Sequence, residues 1–255
     1  MISRNDHIAV FDSGVGGISV LRHLRRLMPN ERFLYFGDSA NAPYGTRPLP
    51  EIQALTVDAA DMLLSRNVKA LVVACNTATA AAIDLLRQRY PAAIIVGIEP
   101  ALKLAADMFP GGTVGVMATP ATLREEKFAR LLERCGHRCA TVKLPAPGLV
   151  ELVEQGKADA PETDALLTKL LGSWTGKLDA LVLGCTHYPF AAAALERVLG
   201  PGTVLLDGGL GTAQQTRRRL EAAGLLSDGP GGVDFENSAG TQQLLDLCRT
   251  LLEQP

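Results

Sequence analysis

An apolar run that ends in a cysteine occurs twice in this chain, and no other feature restricts the fold as strongly. Leu71–Ala74 precede Cys75, and Leu181–Gly184 precede Cys185, 110 residues further along. Short runs that are apolar without alternation are typical of parallel strands buried on both faces. In open sheets of this kind, ligands bind at the carboxyl ends of the strands. The sequence therefore predicts an α/β fold that delivers two thiols to ligand-binding edges.

The sequence that precedes each cysteine run repeats as well. An apolar segment opens the first half at residues 7–14 and another opens the second half at 113–120, and a helical pattern follows each. We interpret the repeat as an ancient duplication that gave two pseudo-symmetric α/β domains with mainly parallel central sheets. If the active site lies in a cleft between them, one thiol stands on each side of the bound molecule. Such a pair suits removal of a proton from one face of a carbon and its return to the other.

The order of the predicted elements also gives domain boundaries. We expect a first domain of residues 1–97 and 206–255, which carries Cys75, and a second of 98–205, which carries Cys185. Helices are predicted where apolar residues recur at helical spacing, at 18–27, 52–63, 78–89, 162–171 and 241–253. Thr119 is a natural helix cap, with Pro120 at the first helical position. No role for 229–240 follows from the sequence.

Composition narrows the class of protein. The net charge of −2 and the mixed charges give no basic field for nucleic acid, and neither a signal peptide nor a membrane-length apolar run is present. A cytoplasmic enzyme or binding protein is the default. Five cysteines indicate no disulfide scaffold, and Cys135, Cys139 and Cys248 fit as small core residues.

Two loops carry further candidate residues. Gly14–Gly17 form a glycine-rich turn that matches neither common nucleotide-binding motif, since Ser19 stands where a third glycine is needed. Asp12 before this turn is equally suited to capping a helix and to catalysis. The loop 38–48 is long, polar and rich in turn formers, as binding loops are.

Four motifs resemble those of bacterial glutamate racemases, in that family's order and spacing. They are Asp12–Gly17, Gly37–Ser39 with Pro43–Gly45, Ala74–Ala78 and Gly184–Pro189. The resemblance implies cofactor-independent interconversion of L- and D-glutamate, which supplies D-glutamate for peptidoglycan. It also implies two α/β domains with the active site between them, glutamate as the small-molecule partner, no metal, and a homodimer.

The resemblance also implies roles for individual residues. Cys75 and Cys185 match the paired acid and base, and Glu154 matches an acidic residue that assists near the second thiol. The positions that match the family's substrate contacts are Asp12, Ser13, Pro43, Tyr44, Gly45, Asn76, Thr77, Thr119, Thr122, Thr186 and His187. Two departures are Glu125, where the family has serine, and the loose match at 235–240.

A group that tunes proton transfer is predicted for each thiol. We expect Asp12 to act on the Cys75 side and His187 on the Cys185 side. His187 lies two residues from Cys185, and residues two apart in an extended chain point to one face. Other interpretations stay open: a Cys–His protease built on Cys185 and His187, a metal site that adds Cys75 and Asp12, an aspartate or hydantoin racemase, and a non-catalytic protein that binds an acidic metabolite.

Overall fold

The computed structural model describes residues 2–135 and 137–254, and the chain divides into two compact units. Unit 1 consists of Met1–Ile98 and Gly209–Pro255, and unit 2 of Glu99–Gly208. Each unit has its own parallel sheet. The predicted α/β class with parallel sheets is therefore confirmed.

The sheet of unit 1 has five parallel strands in the order β4-β3-β1-β2-β9. Their bounds are β1 Ile8–Asp12, β2 Arg32–Gly37, β3 Ala70–Val73, β4 Ile95–Gly97 and β9 Gly232–Asn237. The central strand β1 is buried throughout, as its continuous apolar run predicts. In register, Phe11 of β1 lies between Phe36 of β2 and Val73 of β3, so the carboxyl ends of these three strands meet at one edge.

Five helices pack on the strands of unit 1. They are α1 Ile18–Leu27, α2 Leu49–Leu64, α3 Asn76–Arg89, α10 Gly209–Ala222 and α11 Gln242–Glu253. Helix α1 packs against α10 and α11, and α2 packs against α3. The predicted helices at 18–27, 78–89 and 241–253 are confirmed to within two residues at each end.

The sheet of unit 2 has four parallel strands in the order β6-β5-β7-β8. These are β5 Thr113–Ala118, β6 Ala140–Pro145, β7 Ala180–Gly184 and β8 Val204–Asp207. Its helices are α4 Leu102–Met108, α5 Pro120–Arg124, α6 Glu126–Cys135, α7 Leu149–Glu154, α8 Pro161–Leu171 and α9 Ala192–Leu199. Side chains of β5 and β7 alternate between two apolar clusters, one built with α7, α8 and α9 and the other with α4 and α6.

The two sheets share one topology. Counted from the start of each unit, both run fourth, third, first, second strand, and both cysteines follow the third strand. Strand β9 extends the first sheet beyond β2. The shared order supports the duplication inferred from the repeats.

The chain returns to unit 1 later than expected. A boundary after residue 205 would fall inside β8, whose Leu206 and Asp207 pair with Val182 and Leu183 of β7. The unit boundary instead follows Gly208, because the strand ends there and α10 begins. Segment 229–240, for which the sequence predicted no role, contains β9, paired in parallel with β2 along its whole length.

A buried ion pair joins the amino end of the first sheet to the returning chain. The side chains of Lys69 and Glu31 are almost fully buried and in direct contact. Lys69 Nζ also donates to the carbonyls of Arg4 and Leu225, and Glu31 Oε1 accepts from the amide of Ser227 at 2.9 Å. The pair thus anchors the loop that leads into β9.

The remaining cysteines belong to the core. Cys135, Cys139 and Cys248 are buried, as predicted, and all five cysteines are free thiols. Among the helices of the described residues, none has the length and apolarity needed to cross a bilayer.

Candidate active site: the Cys75 site and the Cys185 site

Cys75 stands where β3 gives way to α3, and its backbone is the N-cap of that helix. The side chain is 5% exposed. Its Sγ accepts a hydrogen bond from the amide of Ala78 at 3.4 Å and lies 3.5 Å from the Ser13 hydroxyl. A helix N-terminus and a hydroxyl both favour the thiolate form of a cysteine. We call these residues, with the strand ends beside them, the Cys75 site.

Asp12 and Ser13 reach this site because β1 lies beside β3. The amide of Ala74 donates to the carbonyl of Phe11 at 2.8 Å, which aligns the ends of the two strands. The buried Asp12 carboxylate accepts from the amide of Gly14 at 2.9 Å. Of the two roles that the sequence left open for Asp12, the cap of α1 is not the one seen, because Gly17 is the N-cap of that helix and has no side-chain cap.

The loop after β2 brings Pro43, Tyr44 and Gly45 to the same unit as Cys75. Tyr44 is buried, and its hydroxyl donates to Oδ2 of Asp38 at 2.6 Å. Burial raises the pKa of Tyr44, and the hydrogen bond to Asp38 raises it further. Tyr44 is therefore a protonated donor at neutral pH.

Asn76 and Thr77 form the first turn of α3, directly after Cys75, and both are buried. The two polar atoms of the Asn76 amide have no hydrogen-bond partner among the described residues. A buried amide without partners is costly, so such a group in a folded protein indicates a place where something polar binds. The predicted contact position Asn76 has the property that a binding group needs.

Cys185 directly follows β7 and precedes a turn at residues 186–187 and a 3-10 helix, Tyr188–Ala191. Its Sγ lies 3.8 Å from Nδ1 of His187. Nε2 of His187 in turn lies 2.7 Å from Oε1 of Glu154, at the end of α7. We call Cys185, Thr186, His187 and Glu154 the Cys185 site.

The approach of His187 to Cys185 is as expected, but the predicted reason was wrong. The chain is not extended here: His187 has φ −77° and ψ −28°, in the helical region. A tight turn, rather than the alternation of a strand, brings the imidazole to the thiol.

Electrostatics at the Cys185 site favour a charged imidazole. Burial lowers the pKa of His187, but its hydrogen bonds to Cys185 and Glu154 outweigh that effect and leave the pKa well above the usual value. Burial also raises the pKa of Tyr188, together with the nearby Cys185 and Glu151. The Tyr188 hydroxyl donates to the carbonyl of Ala146 at 3.3 Å.

Two buried threonines follow β5 in the same unit. Thr119 is the N-cap of α5, where its Oγ1 accepts from the amide of Thr122 at 3.2 Å, and Pro120 occupies the first turn, as predicted. The two threonine hydroxyls lie 3.0 Å apart. Glu125, at the departure from the racemase pattern, directly follows α5, and burial raises its pKa.

Some supporting residues were missed from the sequence. Asp38 holds Tyr44, and Tyr35 of β2 donates its hydroxyl to the carbonyl of Gly14. Only the alternation of β2, which puts Tyr35 and Gly37 on one face, gave any signal. Within the part of the chain that the structure describes, no group of three or more His, Cys, Asp or Glu side chains is arranged to hold a metal ion.

Two parallel sheets of one strand order, each presenting a supported thiol at the end of its third strand, define an α/β protein with a duplicated thiol site. The chain belongs to the Asp/Glu/hydantoin racemase family, whose model matches residues 17–216. It is 47% identical over 256 residues to a glutamate racemase of Clostridium botulinum, covering 99% of both chains.

Solved structures give the same picture. Glutamate racemase from Thermus thermophilus, in complex with beta-chloro-D-alanine, is 38% identical, with a TM-score of 0.83 over 99% of this chain and 94% of that one. Escherichia coli glutamate racemase, in complex with L-glutamate and the activator UDP-MurNAc-ala, is 31% identical, with a TM-score of 0.84 over 96% and 95%.

Proposed function

We propose that this protein, an amino-acid racemase by family, interconverts L- and D-glutamate without a cofactor, by proton transfer at the α-carbon. The observation that carries the proposal is the pair of thiols at equivalent strand ends of two sheets with one strand order. Near-full-length identity of 47% to a protein named glutamate racemase supports glutamate as the substrate. The D-glutamate formed would supply peptidoglycan synthesis.

The proposed chemistry needs two groups of opposite protonation state. One cysteine, as thiolate, takes the α-proton from one face of the substrate and becomes a thiol. The other, as thiol, gives a proton to the opposite face and becomes the thiolate. The roles exchange when the other enantiomer binds, so protons and charge balance in each turnover.

Cys75 would be supported as a thiolate by neutral donors. The amide of Ala78 and the hydroxyl of Ser13 lie within hydrogen-bond distance of its Sγ. Asp12, which holds the turn that carries Ser13, acts on this thiol through that turn in the proposed scheme.

Cys185 would be supported by charge. A protonated His187, itself paired with Glu154, places a positive group 3.8 Å from the sulfur. An imidazolium at this position stabilises the negative thiolate but not the neutral thiol.

The substrate itself needs donors for its carboxylates and an acceptor for its ammonium group. The unpartnered amide of Asn76 offers both, since its nitrogen donates and its oxygen accepts. Charge that develops on the α-carboxylate during proton removal is stabilised by donors of this kind. The other proposed contacts are Asp12, Ser13, Pro43, Tyr44, Gly45, Thr77, Thr119, Thr122, Thr186 and His187.

One geometric observation favours a second function. Cys185 contacts His187, which contacts Glu154, as nucleophile, base and orienting carboxylate do in cysteine hydrolases. That interpretation gives no role to Cys75, which stands at the equivalent strand end of the first sheet with its own donors. The racemase uses both thiols and is the better-supported function.

The test is to incubate the pure protein with L-glutamate in deuterated water, with no added cofactor. Circular dichroism follows the loss of optical activity, and proton NMR follows deuterium entering the α-position. We expect both to proceed to the racemate. If glutamate stays unchanged, aspartate and then glutamate with UDP-MurNAc-ala are tried. Failure of all three would overturn the racemase and leave a binding protein for an acidic metabolite.

We also propose a cytoplasmic location and a homodimer. Chemistry that depends on two free thiols fits a reducing compartment. Light scattering after size exclusion tests the assembly, and a mass equal to one chain would contradict the dimer.

A further inference from the structure

We infer that Tyr35 is a positioning residue for the Cys75 site, a role that rests on the proposed function only for its effect on turnover. Tyr35 is fully buried in the middle of β2 and does not itself carry the chemistry. Its hydroxyl donates to the carbonyl of Gly14 at 2.7 Å. That carbonyl belongs to the loop that carries Ser13 past the sulfur of Cys75.

Both backbone polar groups of Gly14 are held. Its N–H donates to the carboxylate of Asp12 at 2.9 Å, and its own carbonyl accepts from the Tyr35 hydroxyl. The orientation of the loop is therefore fixed by one group on β1 and one on β2. Ser13, directly before Gly14 in the chain, places its hydroxyl 3.5 Å from the thiol sulfur.

Strand β2 is shaped for this contact at a second position. A Cβ at Gly37 would stand 2.5 Å from the Gly14 oxygen, so a side chain there would displace the loop. Tyr35 and Gly37 share one face of β2, because alternate residues of a strand do. The tyrosine holds the carbonyl, and the glycine leaves room for it.

The ring of Tyr35 is itself fixed. It meets Phe235 of β9 with ring centroids 6.3 Å apart and planes tilted by 56°. The hydroxyl is therefore presented in a set direction by a packed ring, as a positioning group requires. Strand β9 contributes to the Cys75 site in this indirect way.

The first experiment does not depend on activity. Cys75 and Cys185 are alkylated with iodoacetamide at pH 7 and quantified peptide by peptide, in wild type and in Tyr35→Phe. We expect Cys75 to react about threefold to tenfold more slowly in the variant, since its thiolate loses an ordered donor, while Cys185 in the same sample is unchanged. A merely loosened structure would instead expose the thiol and speed its reaction.

A matched control removes a tyrosine hydroxyl elsewhere in unit 1. Tyr90 bonds to Asp61 after the end of α3, so Tyr90→Phe loses a comparable hydrogen bond without touching the Gly14 loop. We expect both alkylation rates to stay at the wild-type level in this variant.

A rescue variant restores the donor at position 35. p-Aminophenylalanine at this position is expected to restore the reactivity of Cys75, including where Tyr35→Phe folds poorly. Unchanged or faster alkylation of Cys75 in Tyr35→Phe would overturn the inference.

The second experiment uses the racemase reaction. Because the two enantiomers are equal in energy, kcat/KM falls by the same factor in both directions, so rates alone cannot locate the defect. Isotope effects can. With α-deuterated substrates, slowing the Cys75 step raises the isotope effect for the enantiomer that Cys75 deprotonates and lowers it for the other. We expect these opposite shifts in Tyr35→Phe, with the pattern reversed in Glu154→Gln.

The failures are distinguishable. If wild type does not racemise glutamate, the proposed function fails and the alkylation test still decides the role of Tyr35. If wild type racemises but Tyr35→Phe keeps the wild-type isotope effects in both directions, the inference about Tyr35 is wrong and the proposed function stands.

Discussion

The two units place their thiols alike and support them differently. In unit 1 the sulfur of Cys75 meets a backbone amide and a serine hydroxyl, both neutral. In unit 2 the sulfur of Cys185 meets an imidazole that is paired with a carboxylate. The strand order is common to both halves. The side chains that surround each thiol differ between them.

The opposite ends of the sheets differ in the reverse sense. Lys69, just before β3, lies in a buried ion pair with Glu31. The equivalent position before β7 is Asp179, which is exposed and accepts from the amide of Thr113 at 2.7 Å. Unit 1 thus has an ion pair at the end away from its thiol, whereas unit 2 has its imidazole–carboxylate pair beside its thiol.

The largest expected effect tests whether the two thiols are equivalent. Cys75→Ser and Cys185→Ser are each expected to lower the rate of racemisation by about 10³-fold or more, because each removes one of two proton-transfer groups. Polarimetry measures the loss. Cys248→Ser, in the core of α11, is the control and is expected to retain activity. Full activity of either site variant would end the two-thiol scheme.

The next effect concerns stability. Lys69→Met is expected to lower the free energy of unfolding by about 3–5 kcal/mol, since it leaves the buried Glu31 charge unpaired. Urea unfolding followed by circular dichroism measures it. Lys177→Met, at an exposed position near β7, is expected to change little, and Lys69→Met with Glu31→Gln is expected to recover part of the loss. Equal effects at 69 and 177 would contradict the difference between the units.

A smaller effect tests the charge at Cys185. His187→Gln is expected to lower kcat about 10- to 100-fold, and His137→Gln, at an exposed position, is expected to leave kcat unchanged.

The same histidine gives a prediction for the pH dependence of stability. Because the pKa of His187 is raised, its ion pair with Glu154 contributes fully to stability below a pH of about 6.5, and that contribution is lost as the pH rises through the raised pKa. NMR titration of the imidazole in wild type and Glu154→Gln checks this. A lower pKa in the variant is the expected result, and an unchanged pKa would exclude the pairing as its cause.

The smallest effect tests the neutral donors of Cys75. Ser13→Ala removes one neutral donor from Cys75 and is expected to lower kcat/KM about twofold to fivefold. Steady-state kinetics measure it, with Ser227→Ala as a distant control. A loss as large as that in His187→Gln would mean that neutral and charged support are equally important.

Local patterns in the sequence predicted what depends on local chemistry. The apolar runs before Cys75 and Cys185 gave the strands, and Thr119 with Pro120 gave a helix start. Strand β9 was not predicted, although Val233 and Phe235 alternate with charged residues as in a half-exposed strand. Its partner β2 lies about 200 residues earlier in the chain. Two parallel strands so far apart in the chain are not joined by a short turn, so no turn motif in the sequence indicates that they pair.

Within the sites, contacts between residues close in sequence could be predicted, and contacts between distant elements could not. His187 was placed correctly beside Cys185 from its spacing, although a turn and not a strand brings it there. The partner of His187, Glu154, is 33 residues away and came only from the resemblance to racemases. Tyr35 and Lys69 form bonds that depend on how separate elements pack, which no local pattern contains.

The return of the chain to unit 1 has a consequence for synthesis on the ribosome. Unit 2 is one continuous segment, so it can fold as soon as Gly208 has emerged. Unit 1 begins first but lacks α10, α11 and the edge strand β9 until residues 209–255 have been made. The first 98 residues therefore complete their fold only after residues 209–255 have been made, the reverse of the usual order in which the amino-terminal domain folds first.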